Sequence, residues 1–183
     1  MEQEAPVDDT SIEILDSHRT MAISTLRPDG WPQTTIVGYA NDGLTLYFLI
    51  FRSSQKLRNI RHDKRVSFAV GGESKDLEQV TAVYAAAHAS EVTEEQERAR
   101  AWNLLASRHP NLLEFEPPQR MQAAMMKAEC KHVSVVDYRK GLGHTEELSV
   151  GDGTALEATG ARVEDWGAVA VKPGLLGEKK KSE

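Results

Sequence analysis

Three short segments with strand-like sequences follow one another in the first third of the chain, and only tight turns separate them. The segments are residues 20–26, 33–39 and 44–51, joined by Arg27-Pro28-Asp29-Gly30 and Asn41-Asp42-Gly43. Pro and Gly in the first connection suit a type I turn, and Asn-Asp-Gly is a strong hairpin signal. Parallel βαβ units would need strands alternating regularly with longer helices. The sequence therefore predicts a mainly β (α+β) fold: an antiparallel sheet closed into a small barrel, with helices packed outside it.

The remaining strands and the helices are predicted from apolar spacing and capping signals. Three more strands are predicted at residues 66–70, 77–92 and 132–138, and a weaker one at 165–171. Helices are predicted after a capping box at residues 10–13, over 57–62, from a second capping box at 93–96 to about Ser107, and from Pro118 through Ala128. The inner stripe of the third helix is predicted to be Ala99, Trp102, Leu105 and Ala106.

These elements predict one domain with two loose ends. Residues 1–9 are expected to form a flexible N-terminus, residues 10–171 the barrel domain, and residues 172–183 a flexible C-terminal tail. The 183 residues suffice for a single core without covalent staples.

Charge and composition narrow the range of partners. The chain has 22 basic and 28 acidic residues, a formal charge of −6, which disfavours a general nucleic-acid binder. The apolar runs are too short to cross a bilayer, and the acidic N-terminus lacks the apolar segment of a secretory signal. We therefore expect a cytoplasmic protein without nucleic-acid or membrane partners.

Candidate reactive groups are few. Cys130 is the single cysteine, which excludes a disulfide framework and fits a small buried apolar residue. The six histidines lack metal-helix spacing, and no nucleophile elbow is present. No catalytic residue and no metal ligand are assigned. The segment from Arg52 to Lys56 places hydroxyl, amide and ammonium groups at a helix start, which indicates either a phosphate cradle or an ordinary serine cap.

Several segments in order resemble the pyridoxamine 5′-phosphate oxidase-like superfamily of flavin-binding split barrels. The matching stretches are residues 17–26, 28–32, 42–48, 54–60 and 63–68. The last two stretches resemble the family's S-x-K segment, short helix and "P-R-V-S" strand, although Lys64 stands in place of the usual proline.

The resemblance implies a six-stranded antiparallel split β-barrel with flanking helices. It also implies a homodimer with FMN held between the subunits. It assigns cofactor contacts to residues 34–37, 49–50, 54–56 and 79, which are Thr34, Thr35, Ile36, Val37, Leu49, Ile50, Ser54, Gln55, Lys56 and Gln79. Ser54, Gln55 and Lys56 match the phosphate-contacting positions. The implied partners are a second copy of the chain and a small-molecule substrate or electron donor.

Departures from the family pattern disfavour a true pyridoxamine phosphate oxidase. Thr34 stands where those enzymes carry a phosphate-binding arginine, Tyr39 stands where they carry a substrate lysine, and their C-terminal substrate motif has no counterpart. The leading hypothesis is an FMN-dependent oxidoreductase. One alternative is a deazaflavin-dependent reductase, in which Arg52, Arg58 and Arg61 are available to bind the long anionic tail of that cofactor. The other is a non-catalytic protein that binds flavin or haem. For haem, His18, His62 or His88 would be the candidate contacts.

The third strand adds an expectation about assembly, because it is apolar on both faces. Leu44, Leu46 and Phe48 should face one side, and Tyr47, Leu49 and Phe51 the other. A small barrel has only one interior, so a partner subunit is expected to cover the outward set.

Overall fold

The structure is a computed structural model that describes residues 7–114, 122–150 and 156–159. The helices are α1 (Val7–Ser17), α2 (Gln55–His62) and α3 (Glu95–Arg108). The strands are β1 (Thr20–Leu26), β2 (Pro32–Asp42), β3 (Thr45–Phe51), β4 (Arg65–Gly71), β5 (Thr81–Glu91), β6 (Ala123–Asp137), β7 (Thr145–Val150) and β8 (Leu156–Thr159).

Six of these strands close into an antiparallel barrel, as the sequence predicted. The order is β3-β2-β1-β4-β5-β6, and β6 pairs back onto β3. Strand β6 is 15 residues long, so its first half completes the barrel against β3 and its second half carries β7 and then β8. The barrel interior follows the two-residue period of each strand. Met21, Ile23, Leu46, Phe48 and Ile50 all point inward and are buried.

The barrel is split between β2 and β3, whose ladder covers only residues 39–42 and 45–48. Before residue 39, β2 pairs only with β1, and after residue 48, β3 pairs only with β6. Helix α2 follows β3 directly. Its fully buried Asn59 donates hydrogen bonds to Thr25 Oγ1 (2.9 Å) and Gln33 Oε1 (3.1 Å). Asn59 therefore ties α2 to β1 and β2.

Helix α3 covers the outer face of β2 and β3 and reaches β6 through Met125 and the ion pair between Lys127 and Glu97. Tyr47 is 1% exposed beneath Ala101 and Leu105, and its hydroxyl donates to Glu97 Oε1 at 3.1 Å. Burial raises the pKa of Tyr47. Burial also acts to raise the pKa of Glu97, but hydrogen bonds from Lys127 and Tyr47 outweigh it, so the pKa of this carboxyl is lowered. The expectation that a partner covers the whole outward set of β3 is therefore wrong for Tyr47, because α3 of the same chain covers it.

The helix starts differ from the predicted capping boxes. Helix α1 begins at Val7, so Thr10 and Ser11 lie inside it and are buried instead of capping it. Helix α3 is capped by Glu94, whose carboxylate accepts from the amides of Gln96 and Glu97. A carboxylate at this position also interacts favourably with the helix dipole.

The structure also corrects the predicted buried face of α3 and the predicted start of the fifth strand. Ala99 on α3 is exposed and Ala101 is buried in its place, on the face that packs against Tyr47. The helix N-cap is Glu94, one residue after the predicted Thr93. The predicted fifth strand starts too early: Leu77–Gln79 forms a 3₁₀ turn capped by Asp76, and β5 begins at Thr81.

The predicted helix from Pro118 through Ala128 is wrong where the structure describes it. Residues from Ala123 onward form β6, although Ala, Met and Lys are good helix formers. Pairing with β3 on one side and β5 on the other satisfies the backbone of this segment and overrides its local preference. Strand β7 was not predicted, and the expected strand at residues 165–171 lies outside the described residues.

Replacing Asn59 with leucine tests its role as the tie between α2 and the barrel. The substitution removes the donors to Thr25 and Gln33 and leaves buried acceptors unpaired, which costs about 1–3 kcal/mol of unfolding free energy. The measurement is urea unfolding, with the exposed Asn103→Leu on α3 as the matched control. Equal midpoints for the two variants would contradict this role.

Candidate functional site

The opening between β2 and β3 holds a cavity of about 230 Å³. Its walls come from β2, the end of β3, the end of α3, the turn after it and the start of β6. The lining residues are Gly38, Leu49, Ile50, Phe51, Leu105, His109, Asn111, Leu112 and Ala123. The walls are mainly apolar with two polar side chains, which is the character expected of a small-molecule site.

The α3 side of this cavity is fixed by Arg108, which is largely buried. Its Nη1 donates to Asn41 Oδ1 (2.6 Å) and to the Leu15 carbonyl (3.2 Å), and its Nη2 donates to Asp16 Oδ1 (3.1 Å). The guanidinium also lies 5.5 Å from the centre of the Tyr39 ring. These contacts join the end of α3 to α1 and β2, so the cavity wall is held before any ligand arrives.

His109, the next residue, lies against Gly38 of β2. Its Nε2 is 3.0 Å from the Tyr39 carbonyl oxygen. A carbonyl only accepts, so Nε2 carries the hydrogen of this bond. A Cβ at position 38 would lie 3.1 Å from His109 Cε1 and 3.3 Å from Nε2. Glycine at position 38 is therefore what lets the imidazole reach the strand.

The predicted phosphate cradle lies at the start of α2, three residues after β3 ends. Ser54 caps the helix by accepting from the Leu57 amide at 3.4 Å, and the first turn contains no acidic residue. Gln55 is occupied within the helix, where it donates to Asn59 and accepts from Arg58. The half-buried Lys56 side chain makes no hydrogen bond or ion pair among the described residues. Lys56 is thus the cradle's available cation.

The four predicted residues of β2 divide between its two faces. Thr34 and Ile36 point outward and are exposed; Thr34 shares a 2.7 Å hydrogen bond with Ser24, and Ile36 is 68% exposed. Thr35 and Val37 point inward, and Val37 packs on the core. The Thr35 hydroxyl is buried without a hydrogen-bond partner among the described residues. The strand therefore offers an unsatisfied polar group beside the split.

Gln79 is not brought together with the other predicted residues within one chain. It is exposed in the Leu77–Gln79 turn, and its neighbour Val80 lines a separate depression that includes Ile36 and Tyr84. The other predicted contacts, Leu49 and Ile50, do line the cavity.

The arginines offered to an anionic deazaflavin tail are already engaged. Glu91 accepts from Arg52 at 2.8 Å and from Arg61 at 3.4 Å. Arg58 donates to Gln55 Oε1 and to the Ser53 carbonyl. The single Glu91 carboxylate therefore offsets part of the positive charge of Arg52 and Arg61.

Sequence reasoning missed the α3 side of the site, namely Leu105, His109, Asn111 and Leu112. His109 sits beside a proline at a helix end, and no spacing pattern connects it to Gly38, 71 residues earlier. Cys130 is buried as predicted, and burial raises the pKa of its thiol to about 12. Within residues 7–114, 122–150 and 156–159, no three His, Cys, Asp or Glu side chains converge as a metal site would need. No helix in this part of the chain has the length and apolar character to cross a membrane.

Known proteins resemble this chain both in sequence and in structure. The family model described as pyridoxamine 5′-phosphate oxidase matches residues 7–137. No curated protein matches the sequence significantly. A conserved hypothetical protein from Mycobacterium tuberculosis is 26% identical, with 85% of this chain and all of that chain covered and a TM-score of 0.62.

Two further solved structures share the fold at lower identity. A haem-binding protein from Mycobacterium smegmatis has a TM-score of 0.70 at 19% identity over 80% of this chain; the match spans only 59% of that protein's length. A FAD-binding protein from Mesorhizobium loti has a TM-score of 0.58 at 19% identity, covering 74% of this chain and 97% of that one.

A double-mutant cycle between Gly38 and His109 tests the contact across the cavity. Gly38→Ala should displace the ring and weaken the bond to the Tyr39 carbonyl, lowering the unfolding free energy by about 1 kcal/mol. In the His109→Ala background the added methyl group should leave the unfolding free energy unchanged. Urea unfolding of all four proteins gives the coupling energy, and a value near zero would show that the ring does not rest on Gly38.

Proposed function

Because the chain belongs to the pyridoxamine 5′-phosphate oxidase family, we propose that it binds FMN at the split between β2 and β3 and acts as an oxidoreductase. The observation that carries this proposal is the position of an apolar cavity that includes Phe51, the last residue of β3, four residues before α2 begins. The first turn of α2 carries Lys56, a cation without a partner among the described residues. Bound flavin would supply the hydride or electron chemistry, and the protein would position it.

The residues present fit a flavin nucleotide. The Thr35 hydroxyl, on the inward face of β2, is a buried polar group that lacks a partner in the described structure. Within the described residues, the backbone of β2 before residue 39 and that of β3 after residue 48 have no strand neighbour across the split. The exposed side chain of Phe51, at 59%, lies at the rim and offers apolar surface to a planar ring.

Each part of the site would have its own task. The free amides at the start of α2, the Ser54 hydroxyl and the Lys56 ammonium would hold the phosphate. Leu49 and Ile50 would present the end of β3 to the ring. Gln79 is remote from this cradle within one chain, so in this proposal it reaches the cofactor only across a subunit interface.

We place that interface on the outer face of β1, β2, β4 and β5. Ile36, Ala22, Ala69 and Tyr84 form one continuous cross-strand row, in which two small residues lie between two exposed apolar side chains. Ile36 is 68% exposed and Tyr84 48%. A second copy of the chain would cover this row and bring Gln79 toward the partner's site, so the proposed dimer and the composite cofactor site depend on the same face.

Pyridoxamine phosphate itself is a poor candidate for the substrate. Tyr39, which replaces the family's substrate lysine, is fully buried, and its hydroxyl donates to the Leu15 carbonyl at 2.6 Å. Burial raises the pKa of this hydroxyl well above its ordinary value. Thr34 bonds to Ser24 and carries no charge with which to replace the missing arginine.

Haem binding is the second candidate, and one observation favours it over deazaflavin. His109 lines the cavity, whereas His18, His62 and His88 do not. The M. smegmatis relative is a haem-binding protein of the same fold. Deazaflavin is less favoured because Glu91 engages two of the three arginines that its tail would need.

The absorbance spectrum of the purified protein separates these cofactors. FMN gives flavin bands and haem gives a Soret band, and mass spectrometry identifies whatever is released on denaturation. Oxidation of a reduced nicotinamide by the FMN-loaded protein would support an enzyme. A flavin-loaded protein without turnover on any donor would leave only a binding function.

Lys56→Ala should weaken FMN binding about 10- to 100-fold, because one charge-assisted hydrogen bond contributes about 1.5–3 kcal/mol. Riboflavin lacks the phosphate and should bind both proteins equally. Calorimetric titration of the apo-protein gives both affinities, with the exposed loop variant Lys75→Ala as control. Equal FMN affinity for wild type and Lys56→Ala would leave Ser54 as an ordinary helix cap.

Ile36→Glu should dissociate the proposed dimer, because it buries two like charges in an apolar interface. Light scattering of the wild type should give twice the 20.3 kDa mass of one chain, and the variant should give one chain mass. Glu95→Gln, exposed at the start of α3 and away from the row, serves as the control. A monomeric wild type at micromolar concentration would contradict both the interface and the composite site.

Pyridoxamine phosphate should be oxidised slowly or not at all by the FMN-loaded protein, since Thr34 and Tyr39 replace the charged groups that would bind it. The measurement is hydrogen peroxide release under air. Turnover at an ordinary enzymatic rate of roughly 1 per second or more would show that these departures do not matter.

A further inference from the structure

A second concavity, unconnected with the proposed flavin site, lies on the outer surface where β4, β5, β6 and β7 run side by side. We call it the β4–β7 basin. It has a volume of about 720 Å³. Its lining residues are Lys64, Arg65, Val66, Ala86, Ala87, His88, Lys131, His132, Ser149 and Val150. Five of these ten side chains carry or accept a positive charge and none is acidic, in a chain whose net charge is −6.

A β-bulge concentrates the basic groups. Ala86 pairs with His132 and Ala87 pairs with Cys130, so Lys131 is an extra residue in β6. The bulge thus sets Lys131 and His132 together opposite small alanines, and both line the basin. Bulges commonly re-aim side chains at functional sites. The alanine methyls form a floor that leaves room for a ligand between the longer side chains.

Hydrogen-bond donors reach the basin from each of its strands. Arg65 is oriented by Asp63, whose carboxylate accepts from its Nη2 at 2.6 Å and its Nε at 3.0 Å. His132 Nδ1 is 3.4 Å from the Ser149 hydroxyl. The carboxylates beside the basin include Asp63, which pairs with Arg65, Glu129, opposite His88 in the ladder, and Glu147, two residues before Ser149 on β7. Glu157 of β8 pairs opposite Ser149. The basin lining itself supplies three permanent positive charges, with two imidazoles as additional donors.

The basin is separate from the phosphate cradle of the flavin proposal. The cradle residues Ser54, Gln55 and Lys56 lie at the start of α2, and none of them lines the basin. Lys64 of the basin follows the end of this eight-residue helix, so about 12 Å of helix, at 1.5 Å per residue, separates the two places. One phosphate group could not bridge the two places.

We propose that the β4–β7 basin binds a small molecule through a phosphate or diphosphate group. The converging ammonium, guanidinium, imidazole and hydroxyl donors suit a compact, multiply charged oxyanion. A basin of this size takes a small ligand. The acidic charge of the whole chain disfavours an extended polyanion such as a nucleic acid, which would need basic surface beyond the basin.

Inorganic pyrophosphate is the probe, added to the ¹⁵N-labelled full-length protein and followed by amide chemical shifts. The amides of Ala87, His132 and Ser149 should shift together and saturate. The double variant Lys64→Gln/Lys131→Gln should weaken this binding at least tenfold. Lys75→Gln, an exposed lysine on another loop, should leave it unchanged.

A Lys56→Gln variant separates the basin from the flavin proposal. It should alter any response at Ser54 while the basin amides respond as in the wild type. If the basin amides do not shift in the wild type, or if Lys75→Gln weakens their response as much as the double variant does, the proposal is wrong. Loss of the basin response in Lys56→Gln would also overturn it, because the probe would then be acting through the cradle. A failure of FMN to bind leaves this test unaffected.

Discussion

The incomplete pairing of β2 and β3 is the constraint on which the rest of this structure depends. A fully closed ladder would satisfy every backbone group and leave no opening in the wall. Here the ladder stops at residues 39 and 48, and each strand continues with only one neighbour. The opening must be stabilised by other elements, since exposed strand edges are a liability. Helix α2 closes its inner side through Asn59, and α3 with the following turn lines its outer side.

The same opening explains why the candidate site is assembled from distant parts of the chain. Gly38 and His109 are far apart in sequence, yet the imidazole rests on the glycine and bonds to the Tyr39 carbonyl. Arg108 holds this arrangement by contacts to Leu15, Asp16 and Asn41. Hydrogen bonds from two neighbouring residues therefore fix the α3 side of the cavity wall in place, as the proposed cofactor site requires.

Strand β6 shows how one long element serves two ends of the molecule. Its first half closes the barrel against β3, and its second half carries β7 beyond the barrel. The bulge at Lys131 separates these halves and creates the β4–β7 basin. The closure of the barrel, its extension to β7 and the β4–β7 basin thus all depend on β6. The alanines and methionines of this strand favour a helix locally. Long-range pairing on both sides decided its conformation.

The sequence by itself determined the local elements of the first half of the protein and the closed antiparallel architecture. Strand β1 has the predicted bounds, and the turns at Gly30 and Gly43 have the positive φ that their glycines permit. Ser54 caps α2 as its position indicates. These features depend on residues adjacent in the chain, so period and turn chemistry suffice to predict them.

Only the tertiary structure decided the features that depend on long-range contacts. It converted the predicted helix through Ala128 into β6, covered Tyr47 with α3, and brought His109 to Gly38. It also placed Gln79 away from the phosphate cradle, although the resemblance assigned both to one cofactor site. Each outcome depends on which surfaces meet after the chain closes on itself. No local pattern encodes that choice, because the free energy that decides it comes from burial and pairing between segments distant in sequence.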